Sequence, residues 1–487
     1  MQVPFGEWLP DQPEHNKQGA NVATNVYHAA NTYKRFPSLV SYSSNTAGSE
    51  NSTGAGSFRD NSNTVYNFVA TTDNIYQLTS GAFTSRKASL TGNADDFWTF
   101  TQFGEYVIAS NGVDAAQYYL MGTSTNFANL TAIQTAGTCP VFRVSGVVRD
   151  FLVVGNITNA TNRIQWSGIN DITVWSGKQS DSQDLPGSGG QVVAITSGEV
   201  GYVFRQNQII RMDYVGGATV FRLSVISPNR GAVFGRTVCQ DNRQIFFYAD
   251  DGFYQINGDQ VLPIGVEKVN RYFDLNLNKA FADRICAAVD PFNQLAMWLF
   301  PSTSNAANTT GICDKIIIYN YATKKWSLAE ASASTIFSQF VGAYTVELMD
   351  ILSQNLENIN AALDTDFWSG GQVLLGAIDS DYKAAIFSGT ANECEVETSE
   401  IEPFPGFRTN ITGIRPIVDA TATLTVKARE RLADTESETS SVSMRDSGIN
   451  PVRKSGRYIR ANVKVPSGTT FTHAQGIDLV ASKAGVR

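Results

Sequence analysis

The stretch Ile245–Ile256, reading Ile-Phe-Phe-Tyr-Ala-Asp-Asp-Gly-Phe-Tyr-Gln-Ile, constrains the fold more than any other part of the chain. Asp251-Gly252 stands between two runs of β-branched and aromatic residues, the strongest short-range signal for a hairpin. The first run is apolar at every position, which suits a strand covered on both faces. The unit recurs. Strands of the same kind precede a turn at Tyr66–Ala70, Tyr106–Ala109, Phe151–Val154, Tyr202–Phe204, Leu295–Phe300 and Val373–Leu375, and a partner run follows each. The turns are assigned to Asn74, Asp114, Asn162, Asn207, Asp251, Asp314 and Asp381.

Successive turns lie 40, 48, 45 and 44 residues apart, then 63 and 67. A hairpin repeat with a period in the forties indicates a β-propeller, because one four-stranded blade cannot bury both faces and only the ring is stable. The divergence of the copies leaves six or seven blades. The two long intervals hold insertions: the polar segment Pro301–Gly311, and Val346–Asp364, in which Leu348, Ile351, Leu352, Leu356 and Ile359 recur at helical spacing.

The blades are expected over residues 61–395, with different material on either side. Residues 1–60 read as an arm. Pro10 and Pro13 stiffen its start, Trp8, Tyr27, Tyr33 and Phe36 are too many aromatics for a solvated tail, and Ser43–Ser57 reads as a linker. Residues 396–487 read as a small antiparallel platform. In Ala420–Arg429 the apolar residues Ala420, Ala422, Leu424, Val426 and Ala428 alternate with polar ones, and Ile459, Ala461, Val463 and Val465 repeat the pattern, as half-buried strands do. Both ends are expected to meet on this platform. Deleting residues 1–40 is accordingly expected to leave the propeller soluble while abolishing assembly.

Chemistry is sparse. The three histidines, His15, His28 and His473, have no partner at metal-ligand spacing, so no metal or other cofactor is expected. Pro186–Gly190 is glycine-rich but is followed by no Gly-Lys-Ser/Thr, which makes an inter-blade turn the default over a phosphate cradle. Propeller glycosidases use carboxylates on inner strands, so Asp250, Asp251, Asp290, Asp379 and Asp381 are the catalytic candidates. Acids at hairpin turns, however, hydrogen-bond their own backbone, and that reading prevails: no catalytic residue is expected. The cysteines Cys139, Cys239, Cys286, Cys313 and Cys394 are odd in number and unclustered, as reduced thiols are. No apolar run approaches a membrane span, and the first residues lack a secretory core. A net charge of −8 argues against a general nucleic-acid binder. Trp8, Tyr27, Phe36, Arg453, Lys454, Arg457 and Arg460 are the candidates for docking a partner, although the basic four also fit the solvated face of a strand.

Three groups of residues resemble the tail-nozzle family of short-tailed bacteriophages, also called tail tubular protein B or packaged-DNA stabilisation protein. The first is Leu9-Pro10-Asp11, Asn25-Val26-Tyr27 and Phe36-Pro37-Ser38-Leu39. The second is Phe367-Trp368-Ser369-Gly370-Gly371, Ala385-Ile386-Phe387-Ser388-Gly389, Ile414-Arg415-Pro416 and Ala428-Arg429-Glu430-Arg431. The third is Ser455-Gly456-Arg457-Tyr458-Ile459-Arg460 and Thr472-His473-Ala474-Gln475-Gly476-Ile477-Asp478. Family members often carry proline where His28 and Arg35 stand here. The resemblance implies a propeller flanked by a platform from both chain ends, made in the host cytoplasm and built into the virion tail. It also implies a homo-oligomeric ring, usually of six copies, docked to an adaptor protein and to tail fibres or tailspikes. Double-stranded DNA would pass through that ring at ejection. The alternative expectation is a propeller glycosidase or a carbohydrate-binding lectin.

Overall fold

A computed structural model describes residues 1–15, 17–217, 219–305, 310–340 and 373–485. The helical pattern expected at 346–364 and the motif at 367–371 lie outside the described residues.

The chain forms a β-propeller of seven blades. Blade one is the sheet Gly54–Arg59, Val65–Ala70, Ile75–Thr79 and Ala82–Lys87, its four strands antiparallel and in chain order. Blades two to five repeat that order and open with Thr99–Phe103, Phe142–Val148, Val192–Ile195 and Cys239–Asp241. Blade six opens with Cys286–Asp290 and continues through Leu295–Phe300 and Cys313–Asn320. Its outer strand is the first half of a 16-residue strand, Lys325–Phe340. The second half of that strand, from Ala333 on, changes partner and becomes the inner strand of blade seven, paired with Val373–Asp379. Blade seven is then completed by Ala384–Gly389 and by Ser38–Ser41 from the arm. An early segment thus supplies the outermost strand of the last blade and closes the ring. The Ser52 hydroxyl reinforces the seam, lying 2.8 Å from both Ser334 Oγ and Thr335 Oγ1.

Each hairpin read from the sequence is the central strand pair of a blade. Five of the seven assigned turn residues sit at turns. Asn162 instead lies inside Ala160–Trp166, and blade three turns at Asn159, which takes the left-handed φ of 67° that asparagine tolerates. Asp314 lies inside Cys313–Asn320, where it accepts the Ser302 amide and hydroxyl across the base of the insertion, each at 2.6 Å. The propeller also begins before residue 61, because Ser38–Ser41 and Gly54–Arg59 are blade strands and only residues up to Arg35 belong to the platform.

Tryptophans join the blades. Trp98 donates its Nε1 hydrogen to Thr71 O at 3.1 Å, Trp298 to Thr237 O and Trp326 to Ile264 O, both at 2.9 Å. Burying an indole removes a large apolar surface from water, and giving its N–H an acceptor avoids the cost of an orphaned donor. Trp298 and Trp326 are fully buried and stack at 6.0 Å between centroids, with Phe253 of blade five 4.8 Å from Trp298.

The platform is a sandwich of two sheets. One runs Val22–Thr24, Cys394–Glu397, Tyr458–Val465 and Thr423–Arg429, the other Lys454–Gly456, Thr409–Val418, Ala474–Lys483, Thr32–Arg35 and Val26–Ala29, with Gln2–Pro4 on Ala474–Lys483. The alternating strands meet in register, Leu424 opposite Val463 and Val426 opposite Ala461. Strands from both chain ends therefore share each sheet. Their inward side chains, among them Phe5, Tyr33, Leu424, Ile459 and Ile477, form one continuous core with Phe246, Phe273, Trp298 and Trp326 of blades five and six.

Candidate functional site

The connections that lead from one blade into the next inner strand converge on one end of the central channel. The channel is a cavity of about 860 Å³ lined by inner-strand residues of all seven blades. Its walls are small or apolar along the strands: Gly54, Gly56, Ser57, Thr101, Ser145, Ala194 and Phe337. Charge lies in the entry segments, with Asp95, Arg236 and Asp283, and at the start of the blade-three inner strand, with Arg143.

Phe97, just before the inner strand of blade two, reaches residues of blades five and six. The Arg236 guanidinium lies 4.5 Å from its ring centroid and that of Arg284 5.5 Å. Arg284 donates to Asp95 Oδ1 at 3.1 Å and has Asp283 Oδ2 at 3.8 Å. Arg236 passes over the start of blade six to donate to Thr335 Oγ1 of blade seven at 2.8 Å. A ring face with guanidiniums beside it, plus a carboxylate, thus braces residues of blades two, five, six and seven across the mouth. None of these residues stood out in the sequence. Aligning the repeats on their inner strands would have shown Phe97, Arg236 and Arg284 two or three residues before each start.

The carboxylates considered for catalysis hold turns. Asp379 accepts the amides of Asp381 and Lys383 at 2.9 and 2.8 Å and the hydroxyl of Ser41, tying blade seven to its closing strand. Asp290 accepts the amides of Phe292 and Asn293 at 3.0 and 3.2 Å. Asp251 accepts Arg230 Nη2 at 2.6 Å and the Tyr254 hydroxyl at 2.8 Å. Burial pushes its carboxyl up, but those two partners outweigh it and hold the group below the ordinary carboxylate range. Burial and the same carboxylate raise Tyr254 to about 12. Asp250 and Asp381 are exposed.

The glycine-rich turn wraps a cation. Arg205, 1% exposed, donates to Gly190 O at 2.9 Å, to Pro186 O and Gln208 Oε1 at 2.8 and 2.7 Å, and to Gly187 O at 3.2 Å. A Cβ on Gly189 would come within 2.8 Å of the guanidinium carbon, so this approach requires glycine.

The arm's aromatics are seated inside the chain, not offered outward. Trp8 is 2% exposed, donates to Asn21 O at 3.2 Å and meets Tyr272 edge-on at 4.9 Å. Phe36 is 5% exposed beside Phe387. Tyr27 is half-buried, and its hydroxyl is 3.3 Å from Asn293 Oδ1. These residues dock the arm onto its own propeller. Arg460 is likewise engaged within the platform, with Glu14 and Glu397 at 3.1 and 3.3 Å and Glu436 closer still. Nearby, Lys427 donates to the buried Glu397 at 2.8 Å and Arg429 grips the buried Glu400 with two bonds of 2.6 and 2.7 Å. Lys17 donates to Leu9 O at 2.7 Å, and burial lowers its ammonium to about 8. Arg453, by contrast, is exposed and Lys454 and Arg457 are half-buried, none with an ion-pair partner among the described residues. The structure therefore separates the basic cluster: Arg460 is internal, and Arg453, Lys454 and Arg457 make up its accessible part.

Among the described residues no group of three or more His, Cys, Asp or Glu side chains could hold a metal ion, and no helix is long and apolar enough to cross a membrane. The five cysteines are free and buried, and burial raises every thiol.

No family model matches the chain, and neither does any curated protein. Among solved structures it is similar to a chain of the "Crystal Structure of Mitotic Checkpoint Complex", with a TM-score of 0.40, 10% identity and coverage of 74% of this chain and 98% of that one. It is also similar to BamB from Moraxella catarrhalis, with a TM-score of 0.38, 11% identity and coverage of 75% and 96%.

Proposed function

We propose that the chain is a structural subunit of a virion tail, a tail-nozzle protein of a short-tailed bacteriophage. In this reading several copies form a ring that prolongs the DNA channel, retains packaged DNA and passes it at ejection. The observation that carries the reading is the weaving of both chain ends into one platform whose core runs unbroken into blades five and six. That is the architecture the resemblance implies, and it makes the subunit a stiff wedge. The engagement of Asp251, Asp290 and Asp379 in turn geometry supports a structural role over hydrolysis.

Scale decides where DNA would run. Inner strands are about 20 Å long or less, so an 860 Å³ channel averages roughly 7 Å across. B-DNA's major groove alone is about 12 Å wide. The propeller's own channel is too narrow for a duplex, and the conduit in this reading is the lumen enclosed by several copies. Each copy brings a net charge of −8, and repulsion acts within a Debye length of about 8–10 Å at ordinary salt, so the duplex would slide without phosphate traps. Adaptor and fibre subunits would meet exposed platform surface, where Arg453, Lys454 and Arg457 stand.

The test is the purified assembly. Light scattering and negative-stain images should find a ring, six-fold by the resemblance, with no appreciable duplex binding at physiological salt. A strictly monomeric protein at all concentrations would refute the reading. Tight, salt-sensitive DNA binding would replace a conduit with a clamp.

A further inference from the structure

Arg205 is buried and Arg236 half-buried, neither pairs with a carboxylate among the described residues, and they are treated differently. Arg205 has four acceptors and is satisfied by the turn around it. Arg236 has one, the Thr335 hydroxyl, and that oxygen is already shared with Ser52. Its Nη1 is buried with no hydrogen-bond partner, and no carboxylate pairs with it among the described residues, although Asp95 and Asp283 line the same cavity. The neighbouring Arg284 does not relieve this, since it adds positive charge and takes up Asp95 and Asp283 itself. A buried donor of a charged group that is left without a partner costs its desolvation penalty with no return. Its persistence on a cavity wall points to a group from outside.

We propose that the mouth of the propeller channel binds a small oxyanion-bearing molecule, carboxylate or phosphate, whose charged end pairs with Arg236. The guanidinium fork suits such a group because it can offer two parallel donors to two oxygens. Around it the cavity supplies what an organic body needs: Phe97, Phe234, Ile336 and Phe337 are apolar walls, and Ser57 and Thr101 add hydroxyls. Its 860 Å³ falls within the range of small-ligand sites, roughly 300–1,000 Å³.

The experiment titrates the full-length protein with inorganic phosphate and, separately, with benzoate, each against sodium chloride at matched ionic strength, by calorimetry and thermal shift. Saturable binding of one or both probes is expected, with Kd at least tenfold weaker in Arg236→Gln and unchanged in the surface variant Arg453→Gln. Binding of benzoate alone identifies an organic carboxylate site, and binding of phosphate alone a bare oxyanion site. If Arg236→Gln does not fold, Arg236→Lys decides, since it keeps the charge and loses the fork: a Kd within twofold of the parent would overturn the contact. No saturable effect beyond chloride, or equal binding by Arg236→Gln, would also overturn it. None of these outcomes depends on whether the protein forms a ring.

Discussion

At the scale of single residues, His28 shows how burial turns a side chain into a pH sensor of the fold. It lies in Val26–Ala29, 2% exposed, with Lys325 Nζ 3.1 Å from Nε2 and the Tyr33 ring edge-on at 5.1 Å. Burial first, and the Lys325 charge second, lower its pKa from 6.5 to about 4. The folded state therefore refuses a proton that the unfolded chain accepts between those values. Stability is full above pH 6.5 and falls as the pH drops towards 4, by up to about 3 kcal/mol at roughly 1.4 kcal/mol per pH unit. Denaturant titrations at pH 7, 6 and 5 should show the parent losing stability faster than His28→Gln, whose amide still accepts from Lys325. Parallel pH profiles for the two proteins would sink this account. The same scale explains what misled the reading of Trp8 and Phe36. An aromatic-rich arm needs a surface to cover, but sequence alone does not say whether that surface belongs to a partner or to the same chain.

Among the elements, the strand Ser38–Ser41 matters most relative to its length. It pairs with Ala384–Gly389 and completes blade seven, and Ser41 bonds Asp379 at the blade's turn. Truncation should therefore divide at residue 37. Removing residues 1–37 strips the platform of Gln2–Pro4, Val22–Thr24, Val26–Ala29 and Thr32–Arg35 but leaves the closing strand. Removing residues 1–41 also opens blade seven and exposes an edge to other chains. The longer deletion is expected to aggregate or unfold at markedly lower denaturant than the shorter one, contrary to the expectation that residues 1–40 are dispensable for the propeller. Equal midpoints for the two would contradict the closure. This element also marks the limit of what was legible. The central pair of every blade is made of runs of buried apolar residues, joined in most blades by a short turn and in blade six by the insertion, so periodicity displayed all seven pairs. Inner strands such as Gly54–Arg59, and outer ones such as Asp181–Asp184 with four exposed residues, carry small or polar side chains and have no such signature. For the same reason the channel mouth went unread: Phe97, Arg236 and Arg284 belong to connections of unequal length and meet only because the ring closes.

Over the whole molecule, the core decides how the parts respond to stress. A platform attached through a linker would unfold on its own, because its stability would be independent of the blades. Here Phe5, Tyr33 and Ile477 share one uninterrupted apolar cluster with Trp298 and Trp326, and strands from both chain ends lie side by side in the two platform sheets. Exposing one side of that cluster leaves indoles and phenylalanines of blades five and six open to water, at a cost of about 25 cal/mol per Å² of apolar surface. Melting the platform first would thus forfeit several side chains' worth of burial without gaining freedom in the blades they belong to. Calorimetry of the full chain should give one main transition covering propeller and platform, and Trp326→Ala, a blade substitution, should lower it as a whole by about 3–5 kcal/mol. The segment 396–485 expressed alone should remain unfolded, since it lacks the strands Val22–Thr24 and Thr32–Arg35 that lie within its sheets, and should gain structure when residues 1–37 are supplied. Two well-separated transitions, with Trp326→Ala shifting only one, would show instead that the platform is an independent module.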